Sequence, residues 1–171
     1  MKDTITHRIF DRAFTLVELL VVIAILGILA TIGLTAFTSS QARGRDTQRK
    51  SDLKQMASAL ELYYSDHGAY PSSLTGSILG CPSTTNTACT WGTGEFTDTK
   101  TTYFRVLPKD PTGSGSYFYQ VVTGSSNQKF QLFAYLENSQ DSSLITSGIS
   151  YMCGSALCNF AITSPNTIPT E

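Results

Sequence analysis

Glu18 is the residue whose type and position ask most for a chemical explanation. It is a carboxylate at the leading edge of an apolar run, and from Leu19 to Ala42 no charged residue follows for 24 positions. A charge in such a setting needs a partner, because ionisable groups inside apolar segments are costly and default to a functional role. No Lys, Arg or His between residues 13 and 42 can supply one. The four cysteines form a second candidate set, Cys81 with Cys89 and Cys153 with Cys158. Neither pair has the two-residue spacing of zinc or thioredoxin-like sites. His7 and His67 stand beside no nucleophile. There is no glycine-rich phosphate loop and no His-Glu-x-x-His. These absences point away from an enzyme, and a net charge of −1 gives no basic field for nucleic acid. No cofactor is expected.

The elements that must position these residues are uneven in character. Leu19 to Ala30 is apolar on every face, as in a helix buried in protein or lipid. The charge-free run would extend about 36 Å as a helix, against about 30 Å for a hydrocarbon core. A secretory signal peptide and a one-span anchor are the ordinary readings, and Glu18 sits badly in both. Residues 43–66 continue as an amphipathic helix, with Leu53, Met56, Ala57, Leu60 and Tyr64 on one stripe. Asp46 and Lys50 stand four apart with the acid first, the favourable order for a helix ion pair. Asp66-His67-Gly68 and Pro71 end the helix.

Only 15% of the 171 residues are charged, and 43 are Ser or Thr, so polarity here comes mainly from hydroxyls. Residues 72–116 read as mostly loop, around the single Trp91. Strands are expected at 117–122 and 130–136, then at 149–153 and 158–162. The result is an α+β fold: a long N-terminal helical spine packed on a small antiparallel sheet. The aromatic residues Tyr63, Tyr64, Tyr70, Tyr117, Phe118 and Tyr119 read as core. The tail from Ser164 to Pro169 reads as loose.

The stretch Arg12-Ala13-Phe14-Thr15-Leu16-Val17-Glu18-Leu19 resembles the class III leader junction of the type IV pilin and type II secretion pseudopilin family. A short basic leader, Phe-Thr-Leu-x-Glu and a charge-free span coincide. The resemblance continues through Tyr63 to Pro71 and, more loosely, through Leu107-Pro108-Lys109-Asp110-Pro111, which is similar to a segment of the major secretion pseudopilins. It implies a leader over 1–13, a membrane-spanning or fibre-core helix over 14–42 and a globular domain over 43–171. Cleavage would fall between Ala13 and Phe14, with N-methylation of Phe14, and Glu18 would stand fifth in the mature chain. Ala13 replaces the family's usual Gly. Where relatives often carry a helix-loosening Pro, this chain has Gly33, which either gives flexibility or permits close packing.

The implied function is a structural subunit that polymerises into a type IV pilus. The alternatives are a type II secretion pseudopilin and, from another class, a signal-anchored surface binding protein that never polymerises. The implied partners are further copies of the subunit, the prepilin peptidase and the assembly platform with its ATPase. The implied location is the bacterial cytoplasmic membrane, with the C-terminal domain outside, and then an extracellular fibre. Five Lys/Arg follow the span and three precede it, which counts toward the opposite orientation. The cysteines, which suit an oxidising exterior, and the leader outweigh that count.

Arg43, Arg45, Arg49, Lys50 and Lys54 read either as a solvated face or as contacts to neighbouring subunits or lipid headgroups. Some related pseudopilins bind calcium in a C-terminal loop of the kind formed here by Glu137, Asn138, Asp141, Ser142 and Ser143. An ordinary polar turn is the favoured reading of that loop, since it holds only two carboxylates and calcium wants six to eight oxygens. For the cysteines, short loops favour the local disulfides Cys81–Cys89 and Cys153–Cys158, the second around a hairpin at Gly154-Ser155-Ala156-Leu157.

Overall fold

The computed structural model describes residues 14–81 and 87–171, with the side chains of 32, 33, 35 and 36 outside that description. One helix, α1, spans Leu16–His67. No proline interrupts it, and its end is closed as the sequence suggests. Gly68 takes the left-handed conformation at φ 72°, and its N–H donates to the Tyr64 carbonyl at 2.7 Å, an αL cap that satisfies an orphan carbonyl. The chain divides into two units, Met1–Ser40 and Gln41–Glu171.

In the second unit the chain is an α+β fold. The stripe on α1 is deeply packed: Leu53, Met56 and Leu60 are fully buried, and Ala57 and Tyr64 are partly so. Against it lies a three-stranded antiparallel sheet of β5 (Phe118–Val121), β6 (Phe130–Ala134) and β9 (Phe160–Thr163), in the order β5-β6-β9. The register places Tyr119, Leu132 and Ile162 side by side, and these residues join the helix stripe in one core. The alternate residues Phe118, Phe133 and Ala161 project to the other face, as strand geometry requires. There they pack with Cys153, Cys158, Ile149 and Tyr151. So β6 is buried on both faces over its whole length.

That second face explains a departure from the sequence reading. The strand expected at 149–153 does not join the sheet. Only Met152–Cys153 (β7) is extended, and it pairs with Ala156–Leu157 (β8) as a hairpin. The Cys153–Cys158 disulfide closes this hairpin and sets it over Phe133. Gly154 at its tip, at φ 82°, lies where a Cβ would come within 2.2 Å of the Ser114 carbonyl oxygen. The other disulfide joins Cys81 and Cys89. In the chain-entropy view loops this short are worth about 2–3 kcal/mol each.

Residues 72–116 are less loop-like than expected. Ser73–Leu74 (β1) and Ser77–Ile78 (β2) form a hairpin, and Phe96–Thr97 (β3) pairs with Thr102–Phe104 (β4). The β1-β2 turn is two residues, Thr75 and Gly76, both with positive φ, which matches the twist of a hairpin. This hairpin covers the free side of β5, since the Tyr119 N–H donates to the Gly76 carbonyl at 2.9 Å. The tail is tied rather than loose. Ser164 is buried and its hydroxyl accepts the Phe130 N–H. Gln131 donates to the Ile168 carbonyl at 2.7 Å, and Lys129 pairs with Glu171. The six aromatics do serve as core, with Tyr64 and Tyr70 rings 4.7 Å apart and Tyr70 edge-on to Phe130.

The basic cluster is the largest correction. Arg49 is no solvated residue: it is 1% exposed. Its guanidinium grips both oxygens of Asp110, at 2.7 and 3.1 Å. It also meets Asp46 at 2.6 Å and Glu137 at 2.8 Å. Asp46 therefore pairs with Arg49 three residues on, not with Lys50, and its two oxygens accept the Glu137 and Asn138 N–H groups. Burial would lower the Arg49 pKa, but its carboxylate partners raise it instead. The Arg45 hydrogen bond draws the Glu137 carboxyl down to about 2. For Asp110, burial acts upward and the Arg49 bonds prevail, so its pKa is lowered.

A carboxyl with a depressed folded-state pKa adds stability above its ordinary range and loses it as pH falls through the depressed value. Glu137, Asp110 and Asp141 all act in this sense. Asp52, raised by its burial, acts in the opposite sense and is outnumbered. The unfolding free energy should therefore fall steadily between about pH 4.5 and pH 2, the window set by Glu137. Denaturant titrations across that range would check it; a stability unchanged down to pH 2 contradicts the arrangement.

Candidate processing and assembly site

The amino-terminal site is built on the first turn of α1. Thr15-Leu16-Val17-Glu18 is a capping box, a hydroxyl residue followed three positions on by Glu. The Glu18 N–H donates to Thr15 Oγ1 at 3.2 Å. In return Glu18 Oε2 accepts the Thr15 N–H at 2.9 Å and the Thr15 hydroxyl at 2.8 Å. Two orphan donors of the helix end are thereby satisfied. So Glu18 does have a local partner, which the sequence reading missed although the Thr-x-x-Glu spacing signals it. Both of these bonds fall on Oε2, and among the described residues no hydrogen bond reaches Oε1.

Phe14 stands just before this cap and is 77% exposed. Beyond it, Leu16, Val17, Leu19, Leu20, Ile23 and Leu26 are each more than half exposed, and further apolar side chains continue to Phe37. A soluble monomer rarely exposes so continuous an apolar surface, and one this large marks an interaction surface. Among the described residues no helix is long and apolar enough to cross a membrane. Ala13 lies outside the described residues, so the leader junction has no geometry here, while Gly33 lies within α1.

The loop after β6 carries the residues considered for calcium. Lys50 reaches Asp141 Oδ2 at 2.6 Å, and Ser143 donates its N–H to Asp141 Oδ1 at 2.9 Å. Arg45 binds Glu137 through both oxygens, at 2.8 and 2.5 Å. Among the described residues no group of three or more His, Cys, Asp or Glu is arranged to hold a metal. Arg43 and Lys54 stay exposed.

Comparison with known proteins agrees with this architecture. The prokaryotic N-terminal methylation motif matches residues 10–34. The protein G family of the type II secretion system matches residues 36–144. The chain belongs to the type II secretion system protein G family. It is 32% identical over 126 residues to the type II secretion system core protein G of Pseudomonas aeruginosa, covering 72% of this chain and 82% of that one. The core protein G of Klebsiella pneumoniae is 30% identical over 126 residues, 72% and 83% of the two chains. The type IV major pilin PilA of Myxococcus xanthus is 40% identical over 60 residues, 35% of this chain and 27% of that one. No solved structure matches the chain. Protein G likeness thus runs through the buried clasp at Asp110 and Glu137 and ends before the Cys153–Cys158 hairpin.

The capping box gives a direct test. Thr15→Ala removes the hydroxyl at the cap, a change worth about 1 kcal/mol. The Glu18 amide should then exchange with solvent roughly five-fold faster in detergent micelles, with amides of residues 53–60 unchanged. An unaltered Glu18 amide would show that Thr15 does not cap the helix.

Proposed function

We propose that the chain is a pseudopilin of a type II secretion system, a structural subunit that assembles with further copies of itself. The observation that carries this reading is the extent of likeness. Resemblance to core protein G spans 126 residues and reaches into the globular unit, whereas likeness to PilA spans 60. The pilus subunit placed first from the sequence alone is thereby second. The signal-anchored binding protein is third, because an anchor would use the apolar run but leaves the carboxylate of Glu18 without a role.

In this reading the precursor sits in the cytoplasmic membrane with its C-terminal domain outside, where Cys81–Cys89 and Cys153–Cys158 are stable. A prepilin peptidase cuts between Ala13 and Phe14 and the new terminal Phe14 is methylated. Removal of Lys2, Asp3, Arg8, Asp11 and Arg12 leaves nine basic and eleven acidic residues, a net charge of −2. A platform protein and its ATPase then draw subunits out of the membrane. Cleavage creates a cationic amine four residues before Glu18. Thr15 engages only Oε2 of Glu18, so Oε1 can accept that amine, in the same chain or from an incoming copy. Sliding one helix past another would strand both charges in an apolar core, so the pair fixes register.

The test is fractionation combined with secretion assays in cells lacking any other copy of this subunit. Wild type should restore export of secreted enzymes and yield no long sheared surface fibres at native expression. Ala13→Arg should block processing, with the protein retaining Met1 by mass spectrometry. Glu18→Ala should be inserted, cleaved and folded yet fail in secretion. Abundant sheared fibres with secretion unaffected by deletion would support the pilus instead, and full activity of Glu18→Ala would remove its role in register.

A further inference from the structure

The loop that follows β6 is where a relative of this family would be expected to hold calcium, and in this chain its oxygens are already spoken for. Glu137 Oε1 meets Arg45 at 2.8 Å and Arg49 at 2.8 Å, and Oε2 meets Arg45 at 2.5 Å. Asp141 Oδ2 meets Lys50 at 2.6 Å, while Oδ1 accepts the Ser143 N–H and hydroxyl. Asn138 Oδ1 accepts the Gln140 N–H at 3.2 Å. Calcium asks for six to eight oxygens, and the two carboxylates that could anchor it face three cations from one helix. The residues present do not fit the ion.

We propose that Arg45, Arg49 and Lys50 are resident cations that close the 137–143 loop onto α1, so that this chain orders the loop without a divalent metal. The placement is specific. Positions 45, 49 and 50 lie within about one and a half helical turns, so their charged heads address one stretch of loop. Arg matches a carboxylate with a planar two-bond fork, and Glu137 is held in that manner. Lys, a compact point charge, sits at the single contact with Asp141 and also lies over the Phe160 ring at 5.5 Å. The loop's own N–H groups finish the closure on the Asp46 carboxylate, at 2.9 Å from Glu137 and 2.8 Å from Asn138. A metal-bound loop would be opened by a chelator; this one is held by side-chain cations of α1 that a chelator cannot remove. The inference concerns the folded subunit and stands whether or not the chain polymerises.

The experiment uses the full-length chain in detergent micelles. Wild type is melted in EDTA and in millimolar calcium chloride, and the midpoints should agree to within about 1 °C. An Asp/Glu-specific protease then reports on the loop, with cleavage after Glu137 and Asp141 scored against cleavage elsewhere in the chain. Lys50→Met should speed loop cleavage at least several-fold relative to the other sites. Lys50→Arg, which keeps the charge, should stay near wild type. A wild-type midpoint that rises by several degrees in calcium would overturn the proposal, as would loop cleavage unchanged in Lys50→Met. Equal loosening by Lys50→Arg and Lys50→Met would also overturn it, because packing rather than charge would then be the cause.

Discussion

A buried guanidinium is the constraint on which the rest of the globular unit depends. Taking Arg49 out of water costs several kcal/mol unless its charge and its donors are met. The fold meets them with carboxylates from three separate stretches of chain: Asp46 on the helix, Asp110 in the turn before β5 and Glu137 after β6. Each stretch is then fixed relative to α1. Thr112 folds back on Asp110 with its N–H at 2.9 Å, and Gly115 leaves room for that carboxylate, since a Cβ there would lie 2.4 Å from its Cγ. The Gly154 tip of the disulfide hairpin rests against Ser114 in turn. A three-stranded sheet is a slight scaffold, and these anchored loops supply much of what holds it to the helix.

Much of this was legible in the sequence, for physical reasons that differ by element. The long helix could be read because no proline interrupts it and because its stop carries Gly68 and Pro71. The buried stripe could be read because packing enforces helical periodicity, and Leu53, Met56 and Leu60 obey it. Arg49 could not be read: a helix with cations at 43, 45, 49, 50 and 54 looks solvated, and its partners lie 61 and 88 residues further along the chain. Asp110 sits in a motif recognised only by resemblance, with nothing local to announce that it is buried. The excursion of residues 149–153 out of the sheet escaped notice for a similar reason. A strand covering a second apolar face has the same alternation as one joining the first. The tail misled because it is tied to β6 by the Phe130 N–H donating to the Ser164 hydroxyl and by Gln131 donating to the Ile168 carbonyl, which composition does not reveal.

The helix α1 carries two different surfaces. Up to Ser40 its described apolar side chains are exposed; from Gln41 onward one stripe is buried and the opposite face is mainly polar. The first surface has no use in a soluble monomer, and it is the part matched by the methylation motif. The second is the part matched by the protein G family. Glu18 belongs to the first surface, and its carboxylate is held in place by the N–H and hydroxyl of its own Thr15. A pre-positioned charge of this kind loses less conformational freedom on pairing than a free side chain would.

The most direct measurement of the buried clasp is a double-mutant cycle between Arg49 and Asp110. The full-length chain, Arg49→Met, Asp110→Asn and the double variant would be unfolded with denaturant, with Trp91 fluorescence as the probe. Removing one member of a buried, bidentate pair strands the other, so each single change should be costly and the double change should cost much less than their sum. The account predicts a coupling of at least about 1.5 kcal/mol. Additivity to within about 0.5 kcal/mol would mean that Arg49 and Asp110 do not hold the globular unit together.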